Sequence, residues 1–333
     1  MKLRTLGRSG LRISGIGLGT WGMGGAVTGW HGADDATCTA AIHRALDLGL
    51  NFIDTALSYG EGHSERLIGA ALAAKPDAQV MVASKIPPKN GFQNARSPET
   101  PLSAAFPPEH VIAATEESLR NLRRETLELQ QLHLWHDAWL ASTAERDALF
   151  EAIARLREQG KIRAFGISIL RSNPENGVAL IESGQVDAVQ VIYNIFDQRA
   201  VTRLFPLCLE RNVGVLARVP LDEGGLTGTI TAETAFPEGD FRTGYFQGER
   251  KREVAERCAA IVNDLHATDE SITLAELPRI ALQFALAHPA VTATIPGMRS
   301  PRNAERNCAI SDLPPLTPEQ IAILERHSWA RNW

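Results

Sequence analysis

NFIDTALSYGEGHSERLIGAALAAKPDAQVMVASK, residues 51–85, contains the whole repeating unit of the fold. Its first run, NFIDT (51–55), is apolar, too short for a helix, and closes on a carboxylate. A glycine-bounded turn leads into a stretch, 63–74, with helical patterning, and a second apolar run follows as VMVASK (80–85). Short apolar runs separated by a helix are the unit of a parallel sheet, whose strands are buried on both faces and therefore read as near-continuous hydrophobic segments.

The same unit recurs in both directions along the chain. Further strands are predicted at GIGLG (15–19), LELQQLH (127–133), IRAFGIS (162–168), AVQVIY (188–193), GVLARV (214–219) and VTATIP (291–296), which makes eight. Helices are predicted at 35–48, 63–74, 108–123, 145–159, 175–183, 200–211, 249–265 with 273–287, and 301–309. In 108–123, Val111, Thr115, Leu119 and Leu122 form one apolar stripe, with arginines left to solvent. Eight strand-helix units favour closure into a TIM-type (β/α)8 barrel over an open sheet, with 1–333 as a single domain. LRTLGRSGLRIS (3–14) alternates around glycine turns and is expected to form an N-terminal hairpin. A final helix is expected near 317–327, and the terminal SWARNW (328–333) is expected either to cap the core or to approach the mouth. Two long connections, 86–108 and 220–248, leave the C-terminal ends of strands, where barrel sites lie, and are expected to shape a pocket.

Composition narrows the class. The 333 residues are 44% hydrophobic, with 34 basic and 39 acidic residues interspersed and a net charge of -5, so no cationic face for nucleic acid is expected. No stretch approaches the ~20 apolar residues of a membrane helix, and the N-terminus lacks a leader pattern, which makes the cytoplasm the expected compartment. Cys38, Cys208, Cys258 and Cys308 are widely spaced, which argues for reduced thiols and against a thiolate metal site. HLWHD holds His133 and His136 three apart, but at a strand end these need not share a face, so no metal is expected. Oligomeric state is not legible in these features.

Four residues stand where a barrel concentrates chemistry. Asp54 closes the second strand, Tyr59 lies in the turn after it, Lys85 closes the third strand and His133 the fourth. Each alone could be a buried polar pair; together, at consecutive strand ends, they suggest a proton-handling site. GLGTWG (17–22) has the GxGxxG form of a dinucleotide fingerprint, but more turn formers follow it instead of a helix, so the Rossmann reading is weak.

With these residues in view, the chain resembles the aldo-keto reductase superfamily over nearly its whole length. NFIDTALSYGEGHSERLIG carries the resemblance, and VASK, LQQLH, GKIRAFGIS, VQVIYN and IPGMRSPRNAERN support it in order. YNIFDQ and ARVPLDEGGLTG resemble a bacterial branch of that superfamily. The resemblance implies an oxidoreductase reducing aldehyde or ketone carbonyls of small molecules, with hydride from NADP(H) and NAD(H) kept open. Tyr59 would then donate the proton. The Lys85 ammonium is expected to lower the phenol from its usual pKa of ~10, with Asp54 holding Lys85 and neutral His133 orienting the carbonyl.

The resemblance also implies a set of cofactor contacts. Gly19, Thr20, Trp21 and Asp54 fall at the first strand ends, with Thr20 expected to touch cofactor and Trp21 substrate. Ser168 and Gln190 would hold the nicotinamide amide, although Ile169 stands where the family pattern has an amide side chain. Gly297 would admit close backbone approach, and the helix start after it would offer N–H groups to a phosphate. Arg299 and Arg302 would meet a 2′-phosphate, Asn303 is a cofactor-contact position that replaces a more usual polar or basic side chain, Asn307 would contact the adenine side, and Arg306 stands where an acid is common. Arg218 is expected either to bind pyrophosphate or to bridge to Asp222. His63 is expected to be a turn or helix-start residue, and His136 to line the substrate opening or fold onto the surface. Two other readings stay open: a nicotinamide-nucleotide-binding regulatory subunit with weak catalysis, and a cofactor-free barrel hydrolase or isomerase.

Overall fold

A computed structural model describes residues 1–25, 30–32 and 34–329. The terminal aromatic Trp333, part of SWARNW, lies outside the described residues. The chain opens with an antiparallel hairpin, β1 (Leu3–Thr5) and β2 (Arg12–Ser14). Then come β3 (Leu18–Gly19), α1 (Asp35–Asp47), β4 (Phe52–Asp54), α2 (His63–Ala73) and β5 (Met81–Ile86). The long connection after β5 contains two single turns, α3 (Phe92–Ala95) and α4 (Leu102–Ala105), before α5 (Pro108–Leu122) and β6 (Leu127–Leu132). The chain continues through α6 (Thr143–Glu158), β7 (Ile162–Ser168), α7 (Val178–Glu182), β8 (Ala188–Ile192), α8 (Leu204–Glu210) and β9 (Gly214–Arg218). It closes with α9 (Phe241–Tyr245), α10 (Arg250–Leu265), α11 (Leu277–Ala287), β10 (Val291–Thr294), α12 (Pro301–Ala309) and α13 (Pro318–Glu325).

Strands β3 to β10 form one eight-stranded sheet in which every strand pairs in parallel with its sequence neighbour. Parallel bridges Ile16–Thr294 and Gly19–Gly297 join its two edges, giving the expected (β/α)8 barrel. Gly19 is required at this seam because a Cβ there would lie 2.5 Å from the Ile295 carbonyl oxygen.

Helix boundaries follow local chemistry. Asp34 caps α1 by accepting from Thr37 N at 2.9 Å, Pro108 opens α5 where no N–H is needed, and Arg123 ends α5 in the left-handed region. The stripe expected on α5 is buried, with Ala114 and Ser118 added to it.

Two-residue alternation along the strands sorts the barrel interior into layers. Phe52, Ala83, Leu129, Ala164, Ala188, Leu216 and Ala293 pack with hairpin residues Leu6, Leu11 and Ile13, so the hairpin plugs the lower end. Two residues further along β4, β5, β6, β8 and β9, the same parity brings Asp54, Lys85, Gln131, Gln190 and Arg218. Above an apolar floor, a ring of polar side chains therefore occupies the C-terminal end of the barrel. Outward-facing strand residues such as Ile53, Val82 and Val189 pack in a separate apolar layer with the helices.

Candidate active site at the C-terminal mouth

Lys85 is the centre of the polar ring. It is completely buried, and its Nζ donates to Asp54 Oδ2 at 2.6 Å, to Thr55 O at 2.8 Å and to the Tyr59 hydroxyl at 3.3 Å. Three acceptors around one ammonium satisfy all its donors, the condition under which a buried lysine remains charged. Burial is the strongest influence on Lys85 and opposes the charge, but Asp54 and Tyr59 together outweigh it and raise its pKa. On the opposite side of the carboxylate, Gln190 Nε2 donates to Asp54 Oδ1 at 2.7 Å across the barrel. Gln131 Nε2 approaches the same oxygen at 3.5 Å.

Tyr59 lies in the β4–α2 turn with its hydroxyl over Lys85. Burial dominates its ionisation and pushes the phenol above its ordinary value. Lys85 acts in the expected downward direction but does not offset the burial, which corrects the expectation of a lowered Tyr59 pKa. His133 stands edge-on to the Tyr59 ring, with centroids 5.6 Å apart, and its Nδ1 is 3.2 Å from Ser58 Oγ. Burial first, then the charges of Lys85 and Arg218, hold the His133 pKa well below 6.5, so the imidazole is neutral at physiological pH. Phe92, from the long connection after β5, closes on the His133 ring at 5.0 Å.

A cleft extends from Tyr59 across the mouth. Gly19, Thr20, Trp21, Asp54, Gln190, Arg218, Gly297, Arg299 and Asn303 line it, as do Arg242 and, after β9, residues 219–221, Glu223 and Gly224. Arg218 donates to Ile169 O at 3.0 Å, while its Nε is buried without a hydrogen-bond partner among the described residues. Its expected alternative partner, Asp222, instead accepts from Tyr245 and Arg250. Arg299 donates to His31 O at 2.8 Å and lies over the Trp30 ring, which Arg242 also covers at 4.7 Å. An unsatisfied guanidinium nitrogen and three arginines on one wall suit a ligand carrying several phosphates.

Several expected contacts lie elsewhere or are already occupied. The Thr20 hydroxyl donates to Asp54 O at 3.0 Å and accepts from Ser64 at 2.8 Å, so its one donor is spent on bracing β4 although the residue lines the cleft. Ser168 is the register partner of Gln190 but does not line the cleft, and Asn307 is buried away from it. Arg302 points to solvent. At the start of α12, Pro301 lacks an N–H and Ser300 already accepts from Asn303 N, leaving fewer donors than the sequence suggested. His136 is buried and bonded to Ala95 O at 2.9 Å; it ties two mouth loops together and is not among the residues that line this cleft. His63 opens α2 and pairs with Asp35 at 2.8 Å, a helix-start role. Tyr193 packs against Phe205, Phe284 and His288, away from the cleft.

The sequence reading missed Gln131, Trp30 and Arg242. A signal existed for Gln131 alone: two adjacent glutamines stand in the strand LELQQL, and because successive residues face opposite sides one of them must face inward. Among the described residues no group of three His, Cys, Asp or Glu is placed to hold a metal ion, and no helix is long and apolar enough to cross a membrane. The four cysteines are buried free thiols.

Comparison with known proteins identifies the family and the fold. The aldo/keto reductase family model covers residues 15–328. An NADH-specific methylglyoxal reductase of Escherichia coli (strain K12) is 31% identical over 239 residues, covering 70% of this chain and 71% of that protein. The structure of the glycerol dehydrogenase AKR11B4 from Gluconobacter oxydans superposes with a TM-score of 0.76 at 29% identity, covering 98% of this chain and 96% of that one. An aldo/keto reductase from Klebsiella pneumoniae in complex with NADP and acetate gives a TM-score of 0.68 at 27% identity, covering 99% and 98% of the two chains. With a family match over nearly its full length, on a barrel that gathers the motif residues at one mouth, the chain belongs to the aldo/keto reductase family.

Proposed function

We propose that this protein reduces aldehyde or ketone carbonyls of small molecules to alcohols with NADP(H), and that Tyr59 is the proton donor. The observation that carries the reading is the Tyr59 hydroxyl, 3.3 Å from a fully buried Lys85 ammonium that Asp54 anchors at 2.6 Å. A bound nicotinamide would supply hydride to the carbonyl carbon, and negative charge would develop on the oxygen.

The chain's own residues answer that charge. Tyr59 stays protonated at neutral pH because burial raises its pKa, so the donor is in its acid form before reaction. As its proton moves to the carbonyl oxygen, the phenolate left behind is stabilised by Lys85, whose charge Asp54 maintains. His133, neutral and beside the Tyr59 ring, can donate a hydrogen bond to the same oxygen and orient it. Phe92 packs on His133 and limits the space for a substrate at that side. In the oxidative direction, Tyr59 would take the alcohol proton.

Arg218, Arg242 and Arg299 on the cleft wall suit the phosphates of a dinucleotide, and Gly19 and Gly297 leave backbone exposed beside them. Arg299 would carry the preference for NADP(H), with Arg302 contributing from the solvent side. One relative is named NADH-specific, so the test compares both nucleotides.

The test is oxidation of NADPH and NADH against a panel of aldehydes, ketones and sugars, with Tyr59→Phe as control. Substrate-dependent oxidation that falls by roughly 10²- to 10⁴-fold in the variant, with nucleotide affinity retained, is the expected result. Nucleotide bound without turnover on any carbonyl would favour a regulatory nucleotide-binding role. Failure to bind either nucleotide would return the barrel to hydrolase or isomerase chemistry.

A further inference from the structure

The segment 219–224 forms part of the cleft wall, and its backbone is costly to hold. Val219, Asp222 and Glu223 all adopt positive φ, at 56°, 49° and 54°, followed by Gly224 at 105°. For a β-branched valine this region is an outlier, and such conformations persist only where surrounding contacts over-determine them.

Two supports do so here. From the loop after β8, Asn194 Nδ2 donates to Val219 O at 2.8 Å, and its Oδ1 accepts from Phe196 N and Asp197 N. From the other side, the buried Asp222 carboxylate accepts from the Tyr245 hydroxyl at 2.5 Å and from Arg250 at 3.3 Å. Gly225 is shaped to this seat, since a Cβ there would lie 2.5 Å from Asp222 Oδ2.

Trp329, beyond α13, joins the two supports. Its backbone N–H donates to Phe196 O at 2.7 Å, and its ring meets Phe196 edge-on. On the ring lie the guanidinium groups of Arg250 and Arg257, at 4.3 and 4.1 Å. Arg250 is thus held between Trp329 and Asp222.

We propose that Asp222 is a positioning residue for nucleotide binding, and that Arg250 and Trp329 couple the C-terminal end of the chain to the strained cleft wall. None of these residues needs to touch the reacting atoms. Their effect is to keep the wall in the one conformation that binds, so loosening them lowers the competent fraction and weakens apparent affinity in proportion. The proposal rests on the nucleotide reading above.

The experiment measures two things on Asp222→Asn, Gly225→Ala, Tyr245→Phe and Trp329→Ala in the full chain. Amide hydrogen exchange of the free protein reports the wall without any ligand, and NADPH titration reports its consequence. Exchange should accelerate in 219–228 while the β4, β5 and β6 amides keep their protection. NADPH affinity should fall about tenfold in Asp222→Asn and Gly225→Ala, and by about threefold in Tyr245→Phe and Trp329→Ala. Trp329→Phe, which keeps a ring under the arginines, should restore most of the affinity.

Unchanged exchange in 219–228 overturns the coupling. Accelerated exchange with unchanged affinity also overturns it, because the residues would then be structural only. A wild-type protein that binds neither nucleotide sinks the underlying site reading and this inference with it, and that failure is distinguishable because it appears without any substitution. Tyr245→Phe deletes one hydroxyl and Trp329→Ala lies near the chain end, so both remain informative if Asp222→Asn fails to fold.

Discussion

The two halves of the cleft are built differently. Asp54, Lys85, Gln131 and Gln190 stand on strands, are buried, and satisfy one another before any ligand arrives. The opposite wall comes mainly from loops: Arg299 rests on a carbonyl and a tryptophan face, Arg242 on Asp240 and the same tryptophan, and Arg218, at the last position of β9 where the loop begins, keeps an Nε without a hydrogen-bond partner among the described residues. One half has its geometry fixed by low-dielectric hydrogen bonds. The other holds cations in partnerships a phosphate could replace. Under the proposed function, proton transfer would tolerate little displacement whereas a cofactor would have to enter and leave, and the two constructions suit those different demands.

The largest expected effect sharpens this contrast. Lys85→Met should cut reductive turnover by roughly 10³-fold or more and also destabilise the fold by about 3–5 kcal/mol, because it leaves the Asp54 carboxylate buried without its cation. Turnover and thermal unfolding of the same preparation check this; a normal melting midpoint would mean that the strand half is no more integral to the fold than the loops are. On the loop wall, Arg299→Gln should weaken NADPH binding about tenfold, leave NADH binding within about twofold, and leave the melting midpoint nearly unchanged. Arg302→Gln, at a solvent-facing position, should do less. Equal losses for both nucleotides would reject a 2′-phosphate role for Arg299.

Smaller effects come from titration. Because the Tyr59 pKa is raised by burial, reductive kcat should not fall through loss of its proton until the pH exceeds the ordinary phenol value of ~10, while oxidative kcat should climb toward that range. A reductive profile that drops near pH 8 would assign the donor elsewhere. His133 works in the other direction on stability. Its folded pKa lies well below 6.5, so between that value and 6.5 the unfolded chain holds a proton the native one lacks. Stability is therefore lost as pH falls below 6.5, by up to about 1.4 kcal/mol per pH unit from this group, and His133→Gln should flatten that slope in melts between pH 7 and 5. His136, His288 and His327 are also shifted down by burial and act in the same direction.

Much of this molecule is determined locally. Short, mostly apolar runs bounded by turn formers located all eight strands to within a few residues, because strands covered on both faces keep few polar positions, such as Arg163 of β7 and Glu128 of β6. IRAFGIS matched its strand end to end. The same logic made Asp54 and Lys85 conspicuous, since a charge closing an apolar strand has to face a partner or a mouth.

What the sequence alone could not show is which partner each polar group takes. Thr20 reads as a ligand contact, but its hydroxyl is occupied by Asp54 O and Ser64, residues 34 and 44 positions away. His136 reads as a mouth residue, but is bonded to Ala95 from a different loop. Asp222 reads as a partner for nearby Arg218, but is bound by Tyr245 and Arg250, 23 and 28 residues on. Strand identity and register parity are properties of a few consecutive residues, so the chain by itself determined the barrel and the layer in which its charges sit. Hydrogen-bond assignment and the sign of the Tyr59 shift depend on burial and on groups that meet only when eight strands close, so the tertiary structure alone decided them.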